Sequence, residues 1–490
     1  MRRSLNIALV SASDFGGDRS QVSHVRELAR ALGRPEDEGG AGHRVSVYGR
    51  RCSPDARGRT RLASGATLFN LTAGPERPLP DDRLLDHVRD LADELRRRWS
   101  GAGRPEVVHA HGWIGGLAAC AVAGELGIPF VQTFHGMAAT EARAGRTVHP
   151  ARARLERAIG RGAAAVLARC ADEAADAVRT GVARDIVRVV PPGVDVDLFS
   201  EVGPAMPHGD RQRLTVVARN LSDGSAETAL RALQHVPDAE LAVAGGPDRE
   251  ELENDASVHR LTVLAKELHV SDRVIFLGRV PRRSLPRLLR TTRLALSLAP
   301  AQPAPTSALE AMACGVPAVV TPVGTNADAV LDKITGLHVQ AGRPRQIGLA
   351  VRGLLAEETM RRGYAIAAAD RARSRHGWNR IADETERVYL TVIPEPETLP
   401  EPDQDPEEAP EPIRIPAPAP EPEREPEPAS GASSESGAES GTAPGTASES
   451  GSRSKSGSRS KSKSGSESRS GSSADRVVAE SGSDLVGSPR

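Results

Sequence analysis

The segment from residue 299 to residue 317 carries side chains suited to binding an anionic ligand. A predicted strand ends there, a proline-broken loop follows, and Thr306 and Ser307 stand where a helix should begin. Both residue types cap helices, and the free N–H groups and dipole of a helix N-terminus attract a pyrophosphate. Glu310, one turn further on, is placed to accept hydrogen bonds from ribose hydroxyl groups. The simpler alternative is an acid that serves only the helix dipole.

Gly16 and Gly17 mark a second place where the backbone can meet a ligand. They follow a predicted strand at residues 6–10 and precede a helix with apolar residues at helical spacing. Glycine at such a junction lets a phosphate or a sugar approach the backbone N–H groups closely. The spacing is not Gly-x-Gly-x-x-Gly, so it does not indicate a nicotinamide cofactor. A tight structural turn explains the pair equally well on this pattern alone.

Three histidines close predicted strands. His109 and His111 end one apolar run, and His135 follows the next. We interpret His109 as a hydrogen-bonded histidine of the core or its rim, whereas this structural role and a site role fit His111 equally. His135 precedes Gly136 at a strand end, which favours a place in the site. No group of His, Cys or Asp residues has the local spacing of metal ligands, so the sequence predicts no metal centre.

Short apolar strands alternate with helical periods through the body of the chain. One series runs from residue 6 to residue 190 and a second from residue 214 to residue 321. This alternation predicts parallel sheets with helices on both faces, so the expected fold class is α/β, with two Rossmann-like domains facing a cleft. We expect an N-terminal domain at residues 1–200, a second domain at 212–375, a helix returning to the first domain at 376–393, and a tail at 394–490.

The tail differs from the body in composition. It is rich in Pro and Glu and then in Ser and Gly, which predicts disorder. It holds 10 basic and 19 acidic residues and leaves the body with 54 against 46, too slight an excess to indicate a nucleic-acid partner. A basic patch between Arg453 and Arg469 fits a solvated tail, or alternatively a peripheral contact with an anionic membrane surface.

The sequence predicts neither a membrane span nor a secretion signal. No run of about 18 apolar residues occurs, and Ser11 and Asp14 interrupt the apolar start of the chain before any cleavage pattern. The 4 cysteines show no paired spacing, which indicates reduced thiols. We therefore expect a cytoplasmic protein, and a composition heavy in Ala, Arg and Gly indicates a GC-rich bacterium.

Taken together, the motifs resemble one family. In chain order they are Gly-Gly at 16–17, Val-Val-His-Ala-His at 107–111, Thr-Phe-His-Gly at 133–136, Pro-Pro-Gly-Val-Asp at 191–195, Val-Ala-Arg at 217–219, Ala-Gly-Gly-Pro at 244–247, Val-Ile-Phe-Leu-Gly-Arg-Val at 274–280, Ala-Leu-Glu-Ala-Met-Ala-Cys-Gly-Val-Pro at 308–317, Val-Gly at 323–324 and Thr-Gly-Leu at 335–337. Over residues 4–391 the chain resembles the GT-B glycosyltransferases of family 4, the "group 1" type, which include the D-inositol-3-phosphate glycosyltransferases.

The resemblance implies a retaining transfer of a hexose from a nucleotide-diphosphate sugar to a small-molecule, lipid or polysaccharide acceptor, with no cofactor and no metal. It also implies a role for each matching residue. These are Gly16 and Gly17 at the donor phosphates and the acceptor, His135 beside the transferring sugar, Arg219, Thr306 and Ser307 at the pyrophosphate, Gln302 at the sugar hydroxyls, Val280 at the base and Glu310 at the ribose.

Two positions depart from the family pattern. Gly224 stands where the family has a lysine five residues after the arginine, and Gln302 replaces the first acid of the Glu-x7-Glu pair. The neighbouring Phe-Gly is Ala304-Pro305. Losing one charge-assisted contact to a leaving group costs roughly 10²–10³ in rate. The departures therefore keep open a catalytically impaired protein that binds a nucleotide sugar. A second alternative is a GT-B sugar-nucleotide epimerase, against which the Pro-Gly-Val-Asp and Ala-Met-Ala-Cys-Gly motifs count.

Overall fold

The computed structural model describes residues 3–16, 20–40, 42–218, 220–301 and 306–394. Within this part of the chain, no helix is both long and apolar enough to cross a bilayer. The prediction of a disordered tail concerns residues that, apart from Pro394, lie outside the described ranges.

The first half of the chain is built on a mostly parallel sheet. Its strands are β1 (Asn6–Asp14), β2 (Arg44–Arg50), β3 (Arg59–Arg61), β4 (Ala66–Leu71), β5 (Val107–His111), β6 (Phe130–Thr133), β7 (Ala165–Ala168) and β8 (Val187–Val189). They lie in the order β3-β4-β2-β1-β5-β6-β7-β8, and β3 is antiparallel to β4. Because β5 and β6 are buried along their whole length, they read as continuous apolar runs with polar residues at their ends.

Helices cover both faces of this sheet. They are α1 (Ser20–Leu32), α2 (Asp81–Leu84), α3 (Val88–Trp99), α4 (Trp113–Leu126), α5 (Ala138–Arg143), α6 (Arg152–Gly162) and α7 (Ala171–Thr180). In α1, Val22, Val25 and Leu28 form the buried stripe that the helical spacing of the sequence predicts.

The second half repeats the architecture. Its strands are β9 (Gln212–Val217), β10 (Ala239–Ala244), β11 (Val274–Gly278), β12 (Leu294–Ser297), β13 (Ala318–Val320) and β14 (Gly336–His338), in the parallel order β11-β10-β9-β12-β13-β14. Its helices are α8 (Ser225–Leu233), α9 (Ala256–Glu267), α10 (Leu285–Leu289), α11 (Ser307–Ala313), α12 (Thr325–Ala329), α13 (Pro344–Ala356) and α14 (Glu358–His376), followed by α15 (Trp378–Val392).

The last helix, α15, packs against the first half of the chain. Ile381 and Tyr389 are fully buried in the same core cluster as Val25 of α1. The junction between α14 and α15 is held by the Pro-Pro-Gly-Val-Asp motif, because the Val194 N–H donates to the His376 carbonyl oxygen at 2.7 Å. A Cβ atom at Gly193 would lie 2.5 Å from the Trp378 ring, so the motif needs glycine there. The motif thus anchors the returning helix.

The structure also differs from the sequence prediction in several elements. The predicted second series ends at residues 318–321, but β14 follows it and adds an edge strand. That strand has 3 residues, too few to show a period. The sequence reading also missed α3, although Leu91, Leu95 and Trp99 recur every four residues and are buried. A systematic search for helical spacing would have found it.

Candidate functional site

A cavity of about 290 Å³ opens at the carboxyl ends of β9, β10 and β11. Its lining residues are Val217, Ala218, Ala244, Gly245, Gly246, Arg279, Val280, Arg282, Leu285, Thr306, Ser307 and Glu310. This is the edge of a parallel sheet at which ligands bind. The fold therefore gathers four of the sequence-predicted site residues, Val280, Thr306, Ser307 and Glu310, around one space.

Glu310 is the buried carboxylate of this cavity, only 4% exposed. It forms an ion pair with Arg282, whose guanidinium also lies 4.9 Å from the centre of the Phe199 ring. The Thr306 hydroxyl contacts a Glu310 carboxylate oxygen at 3.4 Å. Arg282 had no role in the sequence prediction, and its place beside Glu310 becomes evident only once α10, which follows Arg282, packs against α11.

Helix α11 begins at Ser307, as the sequence predicts, but Thr306 does not cap it. No hydrogen bond joins the Thr306 side chain to the backbone of the first turn, and Thr306 has a helical ψ of −10°. The predicted N-cap is thus corrected: the Thr306 hydroxyl is directed to Glu310 instead.

The glycine turn after β10 permits a close backbone approach. A Cβ atom at Gly245 would lie 1.6 Å from the Ala218 carbonyl oxygen, and Gly245 has a φ of +132°. Only glycine fits such a contact at such a dihedral angle. The turn at residues 244–247 therefore packs closely against Ala218 and forms one wall of the cavity.

A larger cleft of about 550 Å³ lies between the two halves. The first half contributes His135, Arg169 and Asp172, and the second contributes Asp223 and Gly324. Burial raises the pKa of Asp223, although the Ser225 N–H partly offsets this effect. Two reciprocal hydrogen bonds cross beside the cleft. They run from the Gly324 N–H to Asp172 Oδ2 and from the Ala171 N–H to Asp328 Oδ2, each at 2.7 Å.

A narrow space of about 20 Å³ brings residues of both sites together. Arg282 and Thr306 line it and also line the cavity, while Arg169 lines it and also lines the cleft. His24 on α1 faces the same space. A ligand that extended from the cavity into this space would therefore meet His24 of the first half.

Four histidines form a cluster at the carboxyl ends of β5 and β6. His111 Nδ1 lies 2.9 Å from His135 Nε2, and the ring of His24 lies 5.0 Å from the ring of His135. The ring of His109 lies 4.1 Å from that of His111, tilted by 37°. His109 is held by hydrogen bonds with the Tyr389 hydroxyl at 2.7 Å and Thr133 Oγ1 at 2.9 Å. The interpretation of His109 as a hydrogen-bonded core residue is thus confirmed. His24, a helix residue, gave no signal in the sequence.

The cluster is neutral at physiological pH. Burial lowers the pKa of His24 to about 3, with a further contribution from the Arg169 charge, and burial lowers the pKa of His109 to about 3. Burial also takes the pKa values of His111 and His135 well below 6.5. In the described part of the chain, His111 Nε2 and His135 Nδ1 are buried atoms with no hydrogen-bond partner.

His135 adopts the left-handed backbone conformation, with a φ of +59°. A residue other than glycine there is costly, and such strain persists only where the surroundings fix it. With this backbone conformation, the ring of His135 lies at the cleft and against His111.

The two glycine positions at helix starts have different surroundings. The Gly16 N–H donates to Asp14 Oδ1 at 2.8 Å. Gly224 precedes α8 with a φ of +84°. A Cβ atom at Gly224 would lie 3.3 Å from Pro300 Cδ. The remaining predicted site residues, Gly17, Arg219 and Gln302, lie outside the described residues.

Two family models match the chain. The model of Glycosyltransferase Family 4 matches residues 21–198, and that of Glycosyl transferases group 1 matches residues 207–371. The first covers the half that carries the histidine cluster, and the second covers the half that carries the cavity.

Curated relatives match over most of their length. The chain is 30% identical over 387 residues to a D-inositol 3-phosphate glycosyltransferase from Frankia alni, covering 75% of this chain and 93% of that protein. It is 29% identical over 391 residues to a D-inositol 3-phosphate glycosyltransferase from Pseudarthrobacter chlorophenolicus, covering 75% of this chain and 89% of the relative.

Solved structures share the fold. The sucrose-phosphate synthase from Thermosynechococcus elongatus matches with a TM-score of 0.67 and 23% identity, over 79% of this chain and 98% of that one. HepE from Anabaena, solved with UDP and glucose, matches with a TM-score of 0.61 and 15% identity, over 79% of this chain and 100% of that one. With the GT-B fold, both family models and a relative at 30% identity in agreement, this chain belongs to the glycosyltransferases of family 4, the group 1 glycosyl transferases.

Proposed function

We propose that the protein transfers a hexose from a nucleotide-diphosphate sugar to a small-molecule, lipid or polysaccharide acceptor, with retention of configuration at the sugar. The observation that carries the proposal is the cavity with Val280 and Glu310, which joins the histidine-lined cleft through a space shared by Arg282 and His24. HepE, which has the same fold, was solved with UDP and glucose, and this supports a nucleotide sugar as donor.

The nucleoside of the donor occupies the cavity of the second half in this proposal. The backbone of Val280 meets the base, and Glu310 accepts hydrogen bonds from the ribose hydroxyls. The ion pair with Arg282 holds the Glu310 carboxylate in place inside the cavity. Thr306 and Ser307 then lie towards the pyrophosphate, at the end of the cavity that adjoins the cleft.

The diphosphate and the sugar lie between the two halves. Arg219 pairs with the pyrophosphate, and Gly16 and Gly17 approach it from the first half. Gln302 and His135 contact the sugar hydroxyls. Because His135 Nε2 pairs with His111, Nδ1 is the nitrogen that remains for a sugar hydroxyl. The low pKa of His135 makes it a neutral hydrogen-bonding group and not a cation.

The transfer itself breaks the bond between the sugar C1 and the phosphate oxygen and forms a bond from C1 to the acceptor oxygen on the same face. The acceptor proton passes to an oxygen of the leaving phosphate. The chain's contribution is to position donor and acceptor and to stabilise the charge that develops on the diphosphate. Such a transfer requires no cofactor.

Calorimetry with UDP and GDP tests the donor site. The Glu310→Ala variant should weaken nucleotide affinity by about 1–3 kcal/mol, the cost of losing a hydrogen bond to a charged group. Glu310→Gln retains the side-chain volume and one acceptor oxygen, so its affinity should be intermediate. Glu267→Ala, an exposed acid on α9, is the matched control and should bind as the parent does. Equal affinity in Glu310→Ala and the parent would remove Glu310 from the site.

Donor hydrolysis across a panel of UDP-, GDP- and ADP-hexoses tests the reaction. Turnover of one donor above background, with the sugar released in its original anomeric configuration, would support retaining transfer. Tight nucleotide binding without turnover of any donor would contradict the transfer and favour the impaired, binding-only alternative suggested by Gly224 and Gln302.

A further inference from the structure

The carboxyl ends of β5 and β6 and the helix α1 bring three imidazole rings together. One ring nitrogen from each of His24, His111 and His135 can be chosen so that all three atoms lie within 4.8 Å of one another. The three residues come from separate parts of the sequence. One of them, His24, lies in a helix that no sequence motif connects with the other two.

Their chemistry is that of a transition-metal ligand set. Metals bind imidazole through a ring nitrogen, and histidine is the commonest metal ligand among the side chains. His111 Nδ1 and His135 Nε2 face each other and share a hydrogen bond, which a metal ion would replace. The opposite nitrogens, His111 Nε2 and His135 Nδ1, have no partner among the described residues and can carry the ring protons when the facing nitrogens bind a metal.

The distances are close to those of a metal centre. Tetrahedral Zn²⁺ with nitrogen ligands at about 2.0–2.1 Å separates the ligand atoms by about 3.3 Å. His111 Nδ1 and His135 Nε2, at 2.9 Å, must separate by about 0.4 Å to reach this distance. The His24 nitrogen of the set lies within 4.8 Å of the other two, so its ring must move closer to them.

The positive charge of Arg169 opposes the binding of a metal cation. Arg169 faces His24 and His135, and its charge lowers the pKa of both. Arg169 is paired with Glu173, whose carboxylate accepts from Arg169 Nε at 3.1 Å and offsets the positive charge. No carboxylate belongs to the ligand set, so the bound ion keeps its full positive charge beside Arg169, which weakens binding.

From this geometry we propose that His24, His111 and His135 form a three-imidazole site for a divalent transition metal such as Zn²⁺, with the fourth position open towards the cleft. A three-histidine set with one open position is a recognised zinc coordination pattern. If the placement of His135 beside the transferring sugar under the proposed function is right, an occupied site excludes the sugar, and Zn²⁺ acts as an inhibitor.

The test uses untagged full-length protein freed of metal by a chelator. Calorimetry should give one equivalent of Zn²⁺ bound, and Co²⁺ should give the visible absorption of a tetrahedral ion without a thiolate charge-transfer band. His24→Phe keeps an aromatic ring against Trp378, which lies 5.3 Å from the His24 ring, but removes the nitrogens. It should weaken binding by at least about 10-fold, since loss of an outer-shell partner alone costs 10–100-fold.

The controls separate this site from other histidines and from misfolding. His259→Ala removes an exposed histidine on α9 and should bind both metals as the parent does. His24→Gln is a second variant in case His24→Phe fails to fold. No tetrahedral Co²⁺ band in the parent, or equal Zn²⁺ affinity in a folded His24 variant, overturns the proposal.

Donor turnover distinguishes the metal site from the proposed function. Zn²⁺ that binds and blocks turnover in the parent, and blocks it much less in His24→Phe, supports both. Zn²⁺ that binds with an unchanged rate of donor turnover leaves the metal site standing and removes His135 from the sugar subsite.

Discussion

Acid should destabilise the protein through its histidine cluster. The folded pKa values of His24 and His109 are about 3, against an ordinary value of 6.5. Below pH 6.5 the unfolded chain therefore binds protons that the folded chain excludes, and the free energy of unfolding falls as the pH is lowered. The loss begins near pH 6.5 and continues until the folded pKa is reached.

The size of the effect follows from the linkage relation. Each histidine contributes a slope that approaches about 1.4 kcal/mol per pH unit below pH 6.5. Between pH 8 and pH 5, His24 and His109 together remove about 4 kcal/mol. His111 and His135 add to this loss, because their pKa values are also lowered. For a domain stable by about 5–15 kcal/mol, this is a large fraction.

Other titratable groups also change how the free energy of unfolding depends on pH. His376, with its pKa lowered to about 4 mainly by burial, acts in the same direction as the cluster. Glu156 and Asp223 act in the opposite direction, because burial raises their pKa values. A comparison of the parent with its histidine variants cancels these contributions, since all of these proteins share them.

Urea unfolding at a series of pH values from 8 to 5, with a chelator present, measures the slope. His24→Phe should reduce the slope between pH 6 and pH 5 by about 1 kcal/mol per pH unit, because one titrating group is gone. The exposed His259→Ala should leave the slope unchanged. A parent whose stability is flat over this range, or a His24→Phe variant with the parental slope, would refute the assignment of buried, neutral histidines.

Three further predictions concern other parts of the chain. Gly224→Lys should strengthen binding of UDP relative to uridine, since it places a cation near the diphosphate. It should also lower the free energy of unfolding by about 1–2 kcal/mol, because Gly224 has a left-handed φ of +84°. Gly224→Ala should show the loss of stability without the gain in affinity. Asp328→Asn should speed hydrogen exchange at the Ala171 amide, to which Asp328 Oδ2 is bound at 2.7 Å, and unchanged exchange would mean that this bridge between the halves does not persist in solution. Deletion of residues 394–490 should leave the melting temperature nearly unchanged on grounds of composition, and a large drop would place part of that segment in the folded body.

The sequence predicted the layers well because alternation of strand and helix is a local signal. The buried stripe of α1 followed from the helical spacing of its apolar residues, among them Val22 and Val25. The prediction missed elements whose local signal is weak. β14 has 3 residues, and α14 buries mainly alanines such as Ala368 and Ala372 within a run of arginines. Alanine contributes little to a hydrophobic period, so packing alone identifies that helix.

The site was predictable only where its residues follow strand ends. Val280 and Glu310 follow that rule, and the fold brings them to one cavity. Arg282 and His24 do not, because each acquires its neighbour through the order of strands in a sheet. The adjacency of β1, β5 and β6 places α1 beside His111 and His135, and no spacing in the sequence encodes that order. Distant histidines become a cluster only when the sheet is assembled.

The charges around the site matter because Gly224 stands where the family resemblance leads us to expect a lysine. In the described residues that line the cavity, the cleft and the narrow space between them, each cation is an arginine with a carboxylate partner. These pairs are Arg143–Asp176, Arg146–Glu141, Arg169–Glu173, Arg279–Asp248 and Arg282–Glu310. An incoming diphosphate therefore has to share or exchange a partner with one of them, or rely on Arg219.

The cost of exchange differs among the pairs. Arg279 and Asp248 are 58% and 59% exposed and 3.2 Å apart, and such a surface pair contributes about 0–1 kcal/mol, so Arg279 can change partner at little cost. Separating Arg169 from Glu173, which are 10% and 12% exposed, would leave a buried charge unpaired, at a cost of several kcal/mol. Of the two, Arg279 is therefore the cation that an incoming anion can recruit at the lower cost.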